Sequence, residues 1–140
     1  MSTDGEGDLE LWLAWKRVNE VVKGRILADM LQHGSLTEPE FTVLAHIDDA
    51  RGTIRQNALA AAAGWDRTRL SHLLKRMEDR GYLSRTKLRN GVEVTLLPAG
   101  REAFESLHQP LASAVREHFT SRLDPDQRAA IGSLTKALND

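Results

Sequence analysis

Between Asp66 and Gly81 the side chains that can donate hydrogen bonds collect on one side of a helical period. Leu70, Leu74 and Met77 recur at helix spacing with Leu73 on their margin. At 100° per residue Thr68, Arg69, Ser71, His72, Lys75 and Arg76 lie opposite them, and Arg67 stands at the helix start. These are the donors that phosphates and base edges accept from. An Arg fork can satisfy the O6 and N7 of guanine together, whereas Lys75 suits a phosphate. The plainer alternative is a solvated helix face. Arg85, Lys87 and Arg89 follow on a segment of period two, and Arg85 can equally meet a phosphate or pair with an acid. Near the N-terminus, Trp12 and Trp15 could line a ligand pocket, with Asn19, His46 or Arg51 as polar anchors. Aromatic residues at helical spacing serve equally well as the core of a subunit interface.

Other chemistries find no support. Cysteine is absent, and no two of His33, His46, His72, His108 and His118 have the three- or four-residue spacing of a helical metal pair. There is no nucleophile–base–orienter set, Gly-rich phosphate loop or spaced acid pair. No metal, cofactor or enzymatic activity is expected. A chain of 140 residues, 41% hydrophobic with ten glycines, suits one folded domain. No apolar run approaches ~18 residues and Met1–Gly7 is acidic and polar, so neither a membrane span nor a signal peptide is expected. The chain reads as soluble and cytoplasmic, with no membrane partner.

The net charge of −1 conceals an uneven distribution. From Gly64 to Gly91 stand eight basic residues against three acidic ones, or +5, leaving 11 basic against 17 acidic elsewhere, or −6. A basic block on an acidic body is the footprint of one face meeting a polyanion.

The elements that must position this face follow from period and punctuation. Trp12, Trp15, Asn19, Val22, Ile26 and Met30 predict a helix over about 8–32. At ~1.5 Å per residue it is roughly 37 Å long. Leu11, Val18 and Val21 make it apolar on more than one side, so it needs a second covering partner, such as another subunit. Thr37 and Glu40 form a capping box for a second helix, with Leu36 and Phe41 as its staple. An extended link over 52–55 leads to a short helix over 57–63, which Gly64 stops. Asp66 caps the helix over 66–80, with Gly81 as its stop. Two strand-like runs, 82–88 and 92–96, join through Asn90-Gly91. Pro98 opens a further helix that Pro110 should break near Gln109, and Leu123-Asp124-Pro125 caps a last one.

Helix, link, helix, tight turn, helix and hairpin is the order of a winged helix-turn-helix, so the fold class is mainly α with a small β-hairpin wing. The helix over 66–80 would be the one that enters a major groove. The segment resembles the MarR family of bacterial transcription regulators. The resemblance rests on Leu36-Thr37-x-x-Glu40-Phe41-x-Val43-Leu44, Leu59-Ala60, and Gly64-Trp65-Asp66-Arg67-Thr68-Arg69-Leu70-Ser71-His72. It continues in Arg76-Met77-Glu78-Asp79-Arg80-Gly81-Tyr82-Leu83-x-Arg85 and Leu96-Leu97-Pro98-Ala99-Gly100.

The resemblance implies a single MarR-like domain, with a DNA-binding lobe over 36–98 and dimerisation helices over 8–35 and 99–140. It also implies a homodimeric repressor on a pseudo-palindromic operator in double-stranded DNA, released by a small-molecule effector. Two positions depart from the family pattern. The wing is shortened to Leu88-Arg89-Asn90-Gly91, and Leu97 replaces the usual capping Thr. The short wing keeps open a winged-helix protein-interaction module, and Trp12 and Trp15 keep open a ligand-binding helical dimer without strong DNA binding.

Overall fold

The computed structural model describes residues 2–32 and 34–140; Met1 and His33 lie outside them. In chain order the elements are α1 (Ser2–Leu31), α2 (Glu38–Asp49), β1 (Thr53–Arg55), α3 (Gln56–Ala63) and α4 (Arg67–Asp79), then β2 (Leu83–Leu88) and β3 (Gly91–Leu96). They continue as α5 (Pro98–Glu105), α6 (His108–His118), a 3-10 turn (Thr120–Arg122) and α7 (Pro125–Asn139). The chain divides into two compact units, a winged unit of residues 33–108 and a helical unit of residues 1–32 with 109–140. Among the described residues no helix is long and apolar enough to cross a membrane.

The winged unit is built by local signals that then close on one another. Thr37 Oγ1 accepts the Glu40 amide at 3.3 Å and Glu40 Oε1 accepts the Thr37 amide at 2.9 Å, so two orphan donors of α2 are satisfied reciprocally. The other Glu40 oxygen accepts Arg80 Nη1 at 2.7 Å, which ties the start of α2 to the end of α4. Val43, Leu44 and Ile47 of α2 are fully buried, as are Leu59, Leu70, Leu74 and Met77. Leu73 is buried too, so the residue expected at the margin of α4 belongs to the core. Leu36 is buried, while Phe41 stacks on Phe104 of α5 at 5.6 Å.

The ends of α2, α3 and α4 share one hydrogen-bond pattern, with paired bonds back to the last turn. Gly64 and Gly81 occupy the left-handed position in α3 and α4, but α2 puts Arg51 there, at φ 64°. An L side chain in that conformation costs about 1–2 kcal/mol. Past Arg51 the chain forms a strand rather than a plain link: β1 pairs antiparallel with β3, giving a three-stranded sheet ordered β1-β3-β2. The expected two-stranded wing therefore gains a strand. Three residues are too few to show a period, and only the cross-strand pairing reveals them. The register Leu88↔Gly91 makes Arg89-Asn90 the two-residue tip.

Helix α5 falls within this unit. Leu97 supplies no side-chain cap, as its replacement of Thr implies. A Cβ on Gly100 would stand 2.0 Å from the Tyr82 carbonyl oxygen, so the first turn of α5 lies directly on the backbone leading into β2.

In the helical unit α1 begins at Ser2, earlier than expected, with no proline before Leu31 to stop it. The break after α5 falls at Ser106-Leu107 rather than at Gln109. Pro110 thereby sits in the first turn of α6, where its missing N–H forfeits no helical bond. Asp124 caps α7 in a capping box with Gln127.

Candidate nucleic-acid interface

Asp66 holds the start of α4 by accepting the Arg69 amide at 2.8 Å. With Leu70, Leu73, Leu74 and Met77 buried, the helix can turn only its other side outward. Arg67, Thr68, Arg69, His72, Lys75 and Arg76 are all exposed, and Ser71 is half-buried among them. The Arg69 guanidinium lies over the Trp65 ring at 5.0 Å. Such stacking removes part of the entropy that a free side chain would lose on binding.

The remaining basic residues of the block divide by what they touch. Arg80 is committed to the fold, bonded to Glu40, donating to Tyr82 Oη at 2.8 Å and stacked on the Tyr82 ring at 4.6 Å. Arg85, with its side chain 21% exposed, pairs with Glu78 at 3.4 Å and donates its amide to the same carboxylate at 2.9 Å. That is the acid partner at the base of the wing that its sequence context allowed. Lys87 and Arg89 are exposed on the hairpin, Arg89 at its tip.

Two further polar residues emerge that sequence reasoning missed. Gln56, the first residue of α3, joins Arg67, Thr68, Ser71 and His72 around an open cleft of about 350 Å³, and its Oε1 is buried without a hydrogen-bond partner. Arg55, the last residue of β1, donates from Nη1 to Asn90 Oδ1 at the wing tip, 3.1 Å away across 35 residues of chain. A single Arg-Gln pair after a short link carries no periodic signal.

The ligand residues read from the sequence divide between the two units. Trp15 and Asn19 line a cavity of about 610 Å³ inside the helical unit, whose wall also includes Val18, Ile26, Phe119 and Arg122. Asn19 spends its amide on the Trp15 carbonyl at 2.8 Å. Trp12 is 57% exposed and is not part of that wall. His46, half-buried, and Arg51, exposed, belong to the winged unit.

Among the described residues, Asp29, Glu117 and His118 bring three metal-capable donor atoms within 4.8 Å of one another. This grouping joins helices 89 residues apart, a distance that no spacing rule for histidines reaches. His118 Nε2 is hydrogen-bonded to Asp29 Oδ2 at 2.5 Å. Tetrahedral zinc ligands stand roughly 3.3 Å apart. The closeness of the two groups is that of a direct hydrogen bond.

The MarR family model matches residues 35–91 of this chain. Among curated protein sequences none matches. Several solved structures share the fold. The oxidised form of MarR from E. coli is 27% identical with a TM-score of 0.80, over 93% of this chain and 94% of that one. A Cys-to-Ser mutant of the same protein, complexed with operator DNA, is 24% identical with a TM-score of 0.72, over 94% and 95%. BpsR from Bordetella bronchiseptica, whose DNA binding is regulated by 6-hydroxynicotinic acid, is 23% identical with a TM-score of 0.71, over 91% and 99%.

Proposed function

With the MarR family model matching residues 35–91, we propose that this chain is a member of that family, a homodimeric, effector-released repressor that binds a pseudo-palindromic site on double-stranded DNA in the cytoplasm. The observation that carries the reading is the outer face of α4. Arg67, Arg69, Lys75 and Arg76 are exposed there and have no ion-pair partner among the described residues. A helix ~10–12 Å across enters a major groove ~12 Å wide. Arg69, held over Trp65, presents its fork to a base edge, with Thr68, Ser71 and His72 beside it and Lys75 on a phosphate. Lys87 and Arg89 face the backbone from the wing, while Arg85 braces the wing against α4.

Two such helices in a dimer reach successive grooves about 34 Å apart. If each subunit neutralises about four phosphates, the log–log dependence of affinity on salt has a slope near −7. Titration of duplex DNA by fluorescence anisotropy at several salt concentrations measures it, and a flat dependence removes the mechanism. Arg69→Ala is expected to lose about 1–3 kcal/mol of discrimination between a selected site and its base-substituted variants, with the dimer intact.

The cavity of the helical unit supports the effector. Its volume of about 610 Å³ lies in the ~300–1,000 Å³ range of small-molecule sites, and Lys23 and Arg122 stand in an otherwise largely apolar wall. An aromatic acid suits that lining. Titrating benzoate into a Trp65→Phe variant should quench Trp15 emission saturably; an unchanged spectrum removes the site.

A further inference from the structure

The wing of this protein is short, and a residue outside it reaches its tip. Strands β2 and β3 are paired as far as Leu88↔Gly91, which leaves Arg89-Asn90 as the whole turn. Arg55 sits on the neighbouring edge strand, opposite Glu93 in the β1–β3 register. Its side chain runs along β3 toward the turn, past Gly91, where a Cβ would stand 3.6 Å from Arg55 Nη1. It ends on Asn90 Oδ1 at 3.1 Å.

The chemistry of that contact separates Arg55 from the two fold-bound arginines. Arg80 and Arg85 meet carboxylates, which cancel their charge. Arg55 meets a neutral amide and has no ion pair among the described residues. A guanidinium carries five N–H donors in a fixed fork. The bond to Asn90 uses one of them and orients the rest, so the full positive charge stays at the exposed tip beside Arg89.

We propose that Arg55 is a DNA-contacting residue of the wing, its guanidinium aimed at a backbone phosphate by Asn90, so that the edge strand supplies reach the short hairpin lacks. This inference rests on the DNA-binding reading above. The test uses the full chain and a random-sequence duplex of about 30 base pairs, for which binding is almost wholly phosphate contact. Anisotropy titrations across a salt series compare wild type with Arg55→Gln, Arg55→Lys and Asn90→Ala. Losing one phosphate contact per subunit should make the slope of the Arg55→Gln dimer shallower by about 2, with affinity at 0.1 M salt reduced roughly 60-fold if the two proteins bind alike at 1 M. Gln keeps a polar group beside Asn90, and matching circular-dichroism melts confirm the fold.

Arg55→Lys, which retains the charge, should keep the wild-type slope. Asn90→Ala should keep the slope and weaken binding about threefold, because the contact remains but is no longer oriented. A wild-type slope and affinity in Arg55→Gln overturns the role of Arg55 while leaving the DNA-binding reading intact. An equal loss of slope in Arg55→Lys also overturns it, since a phosphate contact depends on charge. Absence of salt-dependent binding in the wild type overturns both.

Discussion

The two units of this molecule treat apolar side chains in opposite ways. In the winged unit the buried apolar residues run from Leu36 through Val43, Leu59, Leu74 and Val94 to Leu107, a core closed by its own helices and sheet. Among the described residues the helical unit adds Met30 and Ala114 to the buried apolar set. Every large hydrophobic side chain that stands exposed among the described residues belongs to it, including Leu11 at 72%, Trp12 at 57%, Val18 at 57% and Leu138 at 68%. An apolar surface of that kind marks an interaction site. The winged unit thus closes its own core, whereas the helical unit leaves apolar side chains uncovered. Polar groups follow the same division. Arg80, Glu40, Arg85 and Glu78 are spent inside the winged unit. In the helical unit the part-buried polar contact among the described residues is the His118–Asp29 pair.

The sharpest way to break this contrast is a cavity in each unit. Leu74→Ala should lower the unfolding free energy by about 2–5 kcal/mol, because the closed core cannot collapse onto the space. Leu138→Ala should change it by less than about 0.5 kcal/mol under monomeric conditions. Comparable losses in urea denaturation would show that the two units are equally packed. Next in size is Val18→Asp, which places a charge on the open face of α1. It should weaken dimerisation by about 3 kcal/mol in sedimentation equilibrium while leaving the helical spectrum unchanged. An undisturbed dimer would move the interface elsewhere.

A smaller effect than that of the Leu74 or Val18 change concerns Arg51, the left-handed residue other than glycine among the described residues. Arg51→Gly should raise the unfolding free energy by about 1 kcal/mol, since glycine adopts φ 64° without a Cβ penalty. A loss of stability would mean that the Arg51 side chain makes a stabilising contact that outweighs its backbone cost.

Much of the fold was legible because its signals are local. Thr37 with Glu40, Asp66 with the Arg69 amide, and Asp124 with Gln127 each satisfy a helix start within three residues, so short-range reading reaches them. The outward face of α4 was equally legible, since burying Leu70, Leu74 and Met77 decides where the residues between them point. Other features lay beyond that reach. Leu73 moved from margin to core, and β1 became visible through its pairing with β3. The Pro110 break shifted to Ser106-Leu107 because a proline in a helix's first turn need not break anything.

Residue types and spacing alone determined the order of helices and strands, the caps that start them, and the concentration of basic side chains over 64–91. Those depend on interactions between neighbours along the chain. The tertiary structure decided which of those cations remain available. Arg80 finds Glu40 across 40 residues, Arg85 folds back onto Glu78, and Arg55 crosses a strand to Asn90. A guanidinium becomes a brace or a contact according to which acceptor the folded backbone brings within 3–4 Å, because a hydrogen bond forms only at that range and Coulomb attraction is strongest there.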